Sequence, residues 1–329
     1  MQTITEALSS VRLGEPARFQ NLSVFPLFAP SGTVPDYLTL DEALEQGLAR
    51  VTEVSEGGSV PELAFENEAG CRVLLVDGEE LVGARQNRVL NLSILVAAKS
   101  NVVIPVSCVE QGRWRYVSPT FASAKRNLYA KARAQKMAQV TQSLRISGTR
   151  QSDQSRIWES IAGKSERMAS YSDTSAMADI YEQQQSTLRE YVSAFAPQDF
   201  QVGAVFAING KVVGADLFDA PATFRKFMAR LVESYAMDAI EGDTTPNAEI
   251  AAQQVKQFIA DMETAVAERF PPVGEGQDLR LSGKELAGGA LIADGRVVHL
   301  AAFRVEPAST GERPLASSRV RSRRRRNSE

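Results

Sequence analysis

The chain has 329 residues, 43% of them apolar, which is enough to bury a sizeable core in one large or two ordinary domains. No apolar run approaches the roughly 18–20 residues that span a bilayer, and the N-terminus lacks a basic start followed by an apolar stretch, so a cytoplasmic protein with no membrane span is expected. The formal net charge of -3 is uneven: from Pro307 onward seven arginines face two glutamates, leaving the rest at about -8, which does not suit a dedicated nucleic-acid-binding domain.

Asn21–Ala29 reads as an opening strand whose proline predicts an edge position. Leu40–Ala49 reads as a short amphipathic helix, with Asp41 near its positive end. Val60–Glu66 is a further strand. Leu90–Val96 and Val102–Cys108 alternate apolar and polar residues around the turn Ala97–Asn101, the pattern of an antiparallel hairpin. From Ala122 the period becomes helical: Ala124, Leu128, Ala132, Val140 and Leu144 share a face, and the cations from Lys125 to Lys136 read as a solvated side that also suits phosphate. Further helices are predicted over Gln154–Met168 and Ala176–Phe195.

Val202–Phe218 carries Asn209-Gly210 between two apolar runs, the strongest local hairpin signal in the chain. A helix follows over Ala222–Ile240 and stops at Gly242; another is capped by Thr245-Pro246 and runs to about Phe270. The last hairpin, Gly289–Phe303, turns at Asp294-Gly295 and resembles the first, which suits either a duplication or chance. The tail from Pro307 has almost no apolar content and reads as disordered. Together these elements predict an α+β fold. A β-rich N-terminal lobe of short antiparallel strands (sandwich or jelly-roll-like, residues 1–168) precedes helices interleaved with two hairpins (169–306), with a single core shared by the two lobes as an open alternative.

The densest chemistry lies between Cys71 and Val117. Asp77, Glu79, Glu80 and Glu110 are candidate catalytic carboxylates, for general acid–base work or a Mg²⁺ or Mn²⁺ ion. Gln86, Asn87, Arg88, Asn91 and Arg113 are candidate ligand-binding groups for a ribose, phosphate or carboxylate. These side chains are expected to converge in one pocket; the bland reading is an acidic turn and polar strand ends. Gly83 suits a bulge or a close approach. Arg113 and Trp114 together suit a ring and its phosphate, but adjacent strand residues point to opposite faces, so Trp114 reads as core. Cys71 and Cys108, the only cysteines, read as buried and reduced, with a disulfide open should their strands be neighbours. His299 is the only histidine, so multi-histidine metal sites are excluded, and any Ser-His-Asp or Cys-His machinery has to use it. A lone histidine on a strand reads as an ordinary residue.

The segments Val76–Val89 and Ile104–Trp114 resemble a bacterial family named for its association with ADP-ribosylglycohydrolases and rhodanese-like phosphatases, the ARG and rhodanese-phosphatase-associated protein domain. The resemblance covers roughly Leu13 to Val305. It implies ADP-ribose, NAD or nucleotide-related metabolism, and it carries no catalytic residue set. The expectation is an enzyme or binding protein for such a ligand, acting through Asp77–Asn91. A non-enzymatic scaffold or regulatory protein is the alternative. The Arg-rich tail suits a polyanion contact.

Overall fold

Asn209 and Gly210, at φ 50° and 73°, and Asp294 and Gly295, at 49° and 74°, hold the left-handed backbone that a two-residue hairpin turn requires. In the computed structural model, which describes residues 2–30, 33–242 and 250–305, they close the hairpins Gln201–Ile208/Lys211–Phe218 and Leu286–Ala293/Arg296–Arg304. The second strands of the two hairpins pair with each other, placing Phe218 opposite His299 and Gly214 opposite Phe303. The two look-alike hairpins thus lie side by side in one nine-stranded antiparallel sheet.

Strands Gln277–Gly283 and Val266–Phe270 extend that sheet on one side, and Leu22–Phe28 on the other. Leu22–Phe28 is internal, contrary to the expected edge: short strands Arg12–Leu13 and Ala17–Phe19 cover its far side. Pro26 is tolerated because its carbonyl accepts from Gly14 N, in the gap between those two short strands. Its missing N–H faces the same gap, since both groups of a strand residue point to one side.

The N-terminal half adds two smaller sheets. Six strands run in the order Phe121–Asn127, Glu79–Gly83, Arg88–Leu90, Ser100–Cys108, Glu62–Asn67, Ala49–Glu53; three run Ile94–Val96, Arg72–Leu75, Tyr37–Thr39. Val73, Leu75, Ile94 and Val96 of the smaller sheet share a core with Leu81, Leu90, Ile104 and Phe65 of the larger. Helix Leu40–Glu45 closes one end through a capping box between Thr39 and Glu42.

Four local expectations change. The predicted 90–108 hairpin splits: Leu90 pairs with Val106, but Ile94–Val96 crosses to pair with Val73–Leu75. Both faces of this run are buried, so alternation did not mark one partner. Phe121–Asn127 is a strand against Glu79–Gly83, and the helix starts only at Ala130. The helix over Ala176–Phe195 breaks at Gln184 into Met177–Gln183 and Gln185–Ala194. The helix expected to reach Phe270 ends at Thr264, and Val266–Phe270 becomes an edge strand; the Thr245-Pro246 cap and the tail lie outside the described residues.

The fold is α+β with a β-rich N-terminal region. Its largest core draws on Leu22, Leu74, Val89, Met137, Phe206, Phe227, Tyr235 and Phe303, so it crosses the boundary expected near residue 168. Helix Pro221–Glu241 lies on the large sheet, with the Tyr235 ring stacked on Phe206 at 3.9 Å. Each such side chain contributes about 1.5–3 kcal/mol of burial. No described helix is long and apolar enough to cross a membrane.

Candidate functional site

Charged residues isolated inside apolar elements mark where the three parts of the fold meet. Asp216 and His299 project from the same face of the large sheet, since Asp216 is opposite Ala301, two residues from His299. Helix Ala130–Ser147 brings Arg133 and Lys136, and the N-terminal lobe brings Asp77 and Ser93. Arg133, Lys136, Asp216 and His299 are 0–1% exposed, which overturns the solvated reading of the two helix cations. The helix charge pattern could not reveal carboxylates waiting 59 and 83 residues away.

Arg133 donates to both oxygens of Asp216, at 2.7 and 3.2 Å, and its Nε lies 3.6 Å from Asp77. Tyr235 donates to Asp216 at 3.2 Å. Lys136 pairs with Asp77 and donates to the Leu90 carbonyl at 2.8 Å. Burial pushes Asp216 up, but Arg133 and His299 outweigh it and hold the carboxyl below its ordinary range. Burial pulls the Lys136 ammonium down, offset only in part by Asp77.

The histidine completes the network. Ser93 Oγ lies 2.7 Å from His299 Nδ1, and His299 Nε2 lies 3.4 Å from Asp216 Oδ1. Asp77 N donates to Ser93 Oγ at 3.0 Å. With that lone pair occupied, the hydroxyl proton is placed to serve Nδ1, leaving Nε2–H toward Asp216; this tautomer is assigned from the network. A cavity of about 10 Å³, room for one water, is lined by Asp77, Ser93, Asp278, Arg280, Met137 and His299. Asp278 holds Arg280 at 2.9 and 3.1 Å and lies 3.7 Å from Arg150. Four cations, Arg133, Lys136, Arg150 and Arg280, therefore meet three carboxylates, Asp77, Asp216 and Asp278.

The nine expected site residues do not share one pocket. All are buried, but Asp77 alone of them lines this cavity. Arg88 pairs opposite Leu81 and Glu80 opposite Val89, so Glu80 and Arg88 lie on opposite faces of their sheet. Glu79 takes Arg230 at 2.7 Å, and Glu80 takes Arg126 at 3.3 Å. Burial dominates at both, and both carboxyls are pushed up to about 7. Asn91 accepts from Ser107 at 2.6 Å and donates to the Arg150 carbonyl at 2.9 Å.

Glu110 and Arg113 form a second centre. Arg113 donates to both Glu110 oxygens, at 2.8 and 2.6 Å, to Asn87 Oδ1 at 2.9 Å and to the Ala84 carbonyl at 2.8 Å. Burial raises Glu110, and these donors outweigh it. Gln86 bonds the Glu110 carbonyl at 2.9 Å and accepts from Arg88 at 2.8 Å and from Cys108 at 3.1 Å. Trp114 is not core: it is 45% exposed, and Arg113 is the buried one of the pair. Gly83, at φ 127°, serves a close approach of chain to chain, because a Cβ there would stand 2.7 Å from the Thr120 carbonyl. Cys108 is buried as expected, Cys71 is only half-buried, and both are free thiols.

A Mg²⁺ or Mn²⁺ site does not fit these carboxylates, since Asp77, Glu79, Glu80 and Glu110 are each engaged by a basic side chain. Among the described residues no group of three or more His, Cys, Asp or Glu is arranged to hold a metal ion. Sequence reading passed over Ser93 and Asp216 and took His299 as ordinary. The available signal was a single charged residue inside an apolar strand, as Asp216 is in Lys211–Phe218.

The family model of the ARG and Rhodanese-Phosphatase-superfamily-associated Protein domain matches residues 10–303, so the chain belongs to that family. Neither the curated proteins nor the solved structures include a match.

Proposed function

We propose that this member of the ARG and Rhodanese-Phosphatase-superfamily-associated family is a cytoplasmic hydrolase for a small, phosphate-bearing, nucleotide-related ester. Ser93 is the nucleophile, His299 its base and Asp216 the group that orients the imidazole. The observation that carries this reading is the contact of Ser93 Oγ with His299 Nδ1 at 2.7 Å, with a buried carboxylate 3.4 Å from the other ring nitrogen, which has no other partner. Arg280 on the cavity wall suits an anionic substrate, and the nucleotide-related class follows from the family resemblance. The Asp77–Asn91 block then acts as the frame that holds Ser93, and the Arg-rich tail as a polyanion contact.

In this chemistry Ser93 Oγ bonds to the ester carbonyl carbon as its proton passes to His299 Nδ1. Collapse of the tetrahedral adduct breaks the bond to the leaving oxygen, which takes that proton. Water repeats the sequence on the acyl group and frees Ser93. Arg280, on the cavity wall and paired with Asp278, is the cation assigned to balance charge on the oxyanion.

The second reading is a non-enzymatic scaffold or regulatory protein. The room for only one water beside Ser93 favours it. A turnover screen with phosphate-bearing esters separates the two. Hydrolysis that disappears in a folded Ser93→Ala variant supports the enzyme; no hydrolysis by the wild-type chain supports the scaffold.

A further inference from the structure

Arg88 is fully buried without a carboxylate in direct contact; Glu53 acts on it from further off and the Cys108 thiol from close by, and burial outweighs both, pulling the guanidinium below its ordinary range. It donates to Gln86 Oε1 at 2.8 Å, and its Nε and Nη2 have no hydrogen-bond partner. No carboxylate lies within 4.0 Å of it among the described residues, whereas Arg113, Arg133, Arg230 and Arg280 all have one. A buried guanidinium is costly unless it is paired.

The side chains around Arg88 suit an anion attached to a flat ring. The Arg88 guanidinium lies 5.7 Å from the centre of the Trp114 ring, which is half-exposed. Arg85 lies 5.6 Å from the same ring and 4.3 Å from that of Tyr116, which is 47% exposed. Arg115 between them is exposed. Two half-exposed aromatic rings, each with an arginine over it, make a stacking platform with cations beside it.

We propose that Arg85, Arg115, Trp114 and Tyr116 bind a nucleoside monophosphate, with the base stacked on the aromatic rings and the phosphate beside Arg85 and Arg115, while the buried Arg88 charge against Trp114 adds to the field that holds it. This site deepens the ligand class of the reading above, but it does not depend on the Ser93 chemistry.

Calorimetry on the full chain tests it with adenosine monophosphate, adenosine, inorganic phosphate and a short oligodeoxyadenylate. The monophosphate is expected to bind at least tenfold more tightly than adenosine or phosphate alone. Arg88→Met should weaken that binding tenfold or more while melting no lower than wild type, because it removes a buried charge that has no carboxylate in direct contact. Trp114→Ala, at an exposed position, should also weaken binding tenfold and keep the fold. A monophosphate that binds no better than phosphate overturns the stacking platform. Binding of the oligonucleotide alone overturns the proposal in favour of nucleic acid. Unchanged binding in both variants places the ligand elsewhere. Loss of ester turnover in Ser93→Ala with monophosphate binding intact keeps the two sites distinct.

Discussion

Ser93 Oγ and His299 Nδ1, 206 residues apart in the chain, lie 2.7 Å from each other. The contact exists because strand Arg296–Arg304 of the large sheet faces the Asn91–Ser93 bend between two strands of the N-terminal lobe. Asp216 lies 3.4 Å from the other ring nitrogen, on the neighbouring strand. A hydroxyl, an imidazole and a carboxylate in series are the parts of a nucleophile activated by a base.

Asp216 also balances Arg133, which is fully buried. Asp216→Asn leaves that guanidinium with only Asp77, 3.6 Å from its Nε. Removing one partner of a buried pair costs about 3–5 kcal/mol. Urea denaturation should show a loss of this size. Asp199→Asn, whose carboxylate is 89% exposed opposite Arg225, should change stability by less than about 1 kcal/mol.

Glu79 and Glu80 set a pH dependence. Their ordinary value is 4.5 and both are pushed up to about 7 in the fold, chiefly by burial. Between those values the folded chain holds more protons than the unfolded chain. The contribution is therefore fully present below about pH 4.5 and is lost as pH rises through 7, by on the order of 3 kcal/mol per carboxyl at most. Glu80→Gln should flatten the fall in melting temperature between pH 5 and 7.5. An unchanged slope would mean that Glu80 stays ionised through that range.

Much of the fold was legible wherever local chemistry decided it. Asn209-Gly210 and Asp294-Gly295 announced their hairpins because few other pairs tolerate two positive φ angles in succession. Helix Pro221–Glu241 was expected over Ala222–Ile240 from its stop at Gly242, and Gln154–Arg167 over Gln154–Met168. Phe121–Asn127 was misread because Ala-Ser-Ala-Lys-Arg carries no alternation; its pairing with Glu79–Gly83, some forty residues earlier, makes it a strand. The site was legible in part. Asp77 was named as a candidate and lines the cavity, but Arg133, Lys136, Asp216 and His299 each look like ordinary surface or core residues until the sheet and helix bring them together. The carboxylates chosen for density turned out to be matched one by one with arginines and a lysine.

Gly83→Ala should cost about 1–3 kcal/mol, from strain at φ 127° and crowding against Thr120 and Ser118. Chemical denaturation measures this directly. A neutral result would mean that the Phe121 strand moves away easily from its neighbour.

The two thiols should separate in a labelling experiment. Cys71, half-buried, should react with a small thiol reagent in the native protein, while Cys108, whose thiol burial pushes up, should react only on unfolding. Mass spectrometry of native and denatured samples reads both sites. Rapid native labelling of Cys108 would show that its strand opens.

The most direct measurement is intact-mass and peptide analysis after treatment with a small organofluorophosphate. The Ser93 oxygen should displace fluoride as His299 takes the proton, giving one covalent adduct on Ser93. That adduct should be absent in Ser93→Ala and formed at least tenfold more slowly in His299→Gln. A folded wild-type chain that gains no adduct at Ser93 would contradict the nucleophile assignment and leave the buried network as a structural joint between the lobe, the helix and the sheet.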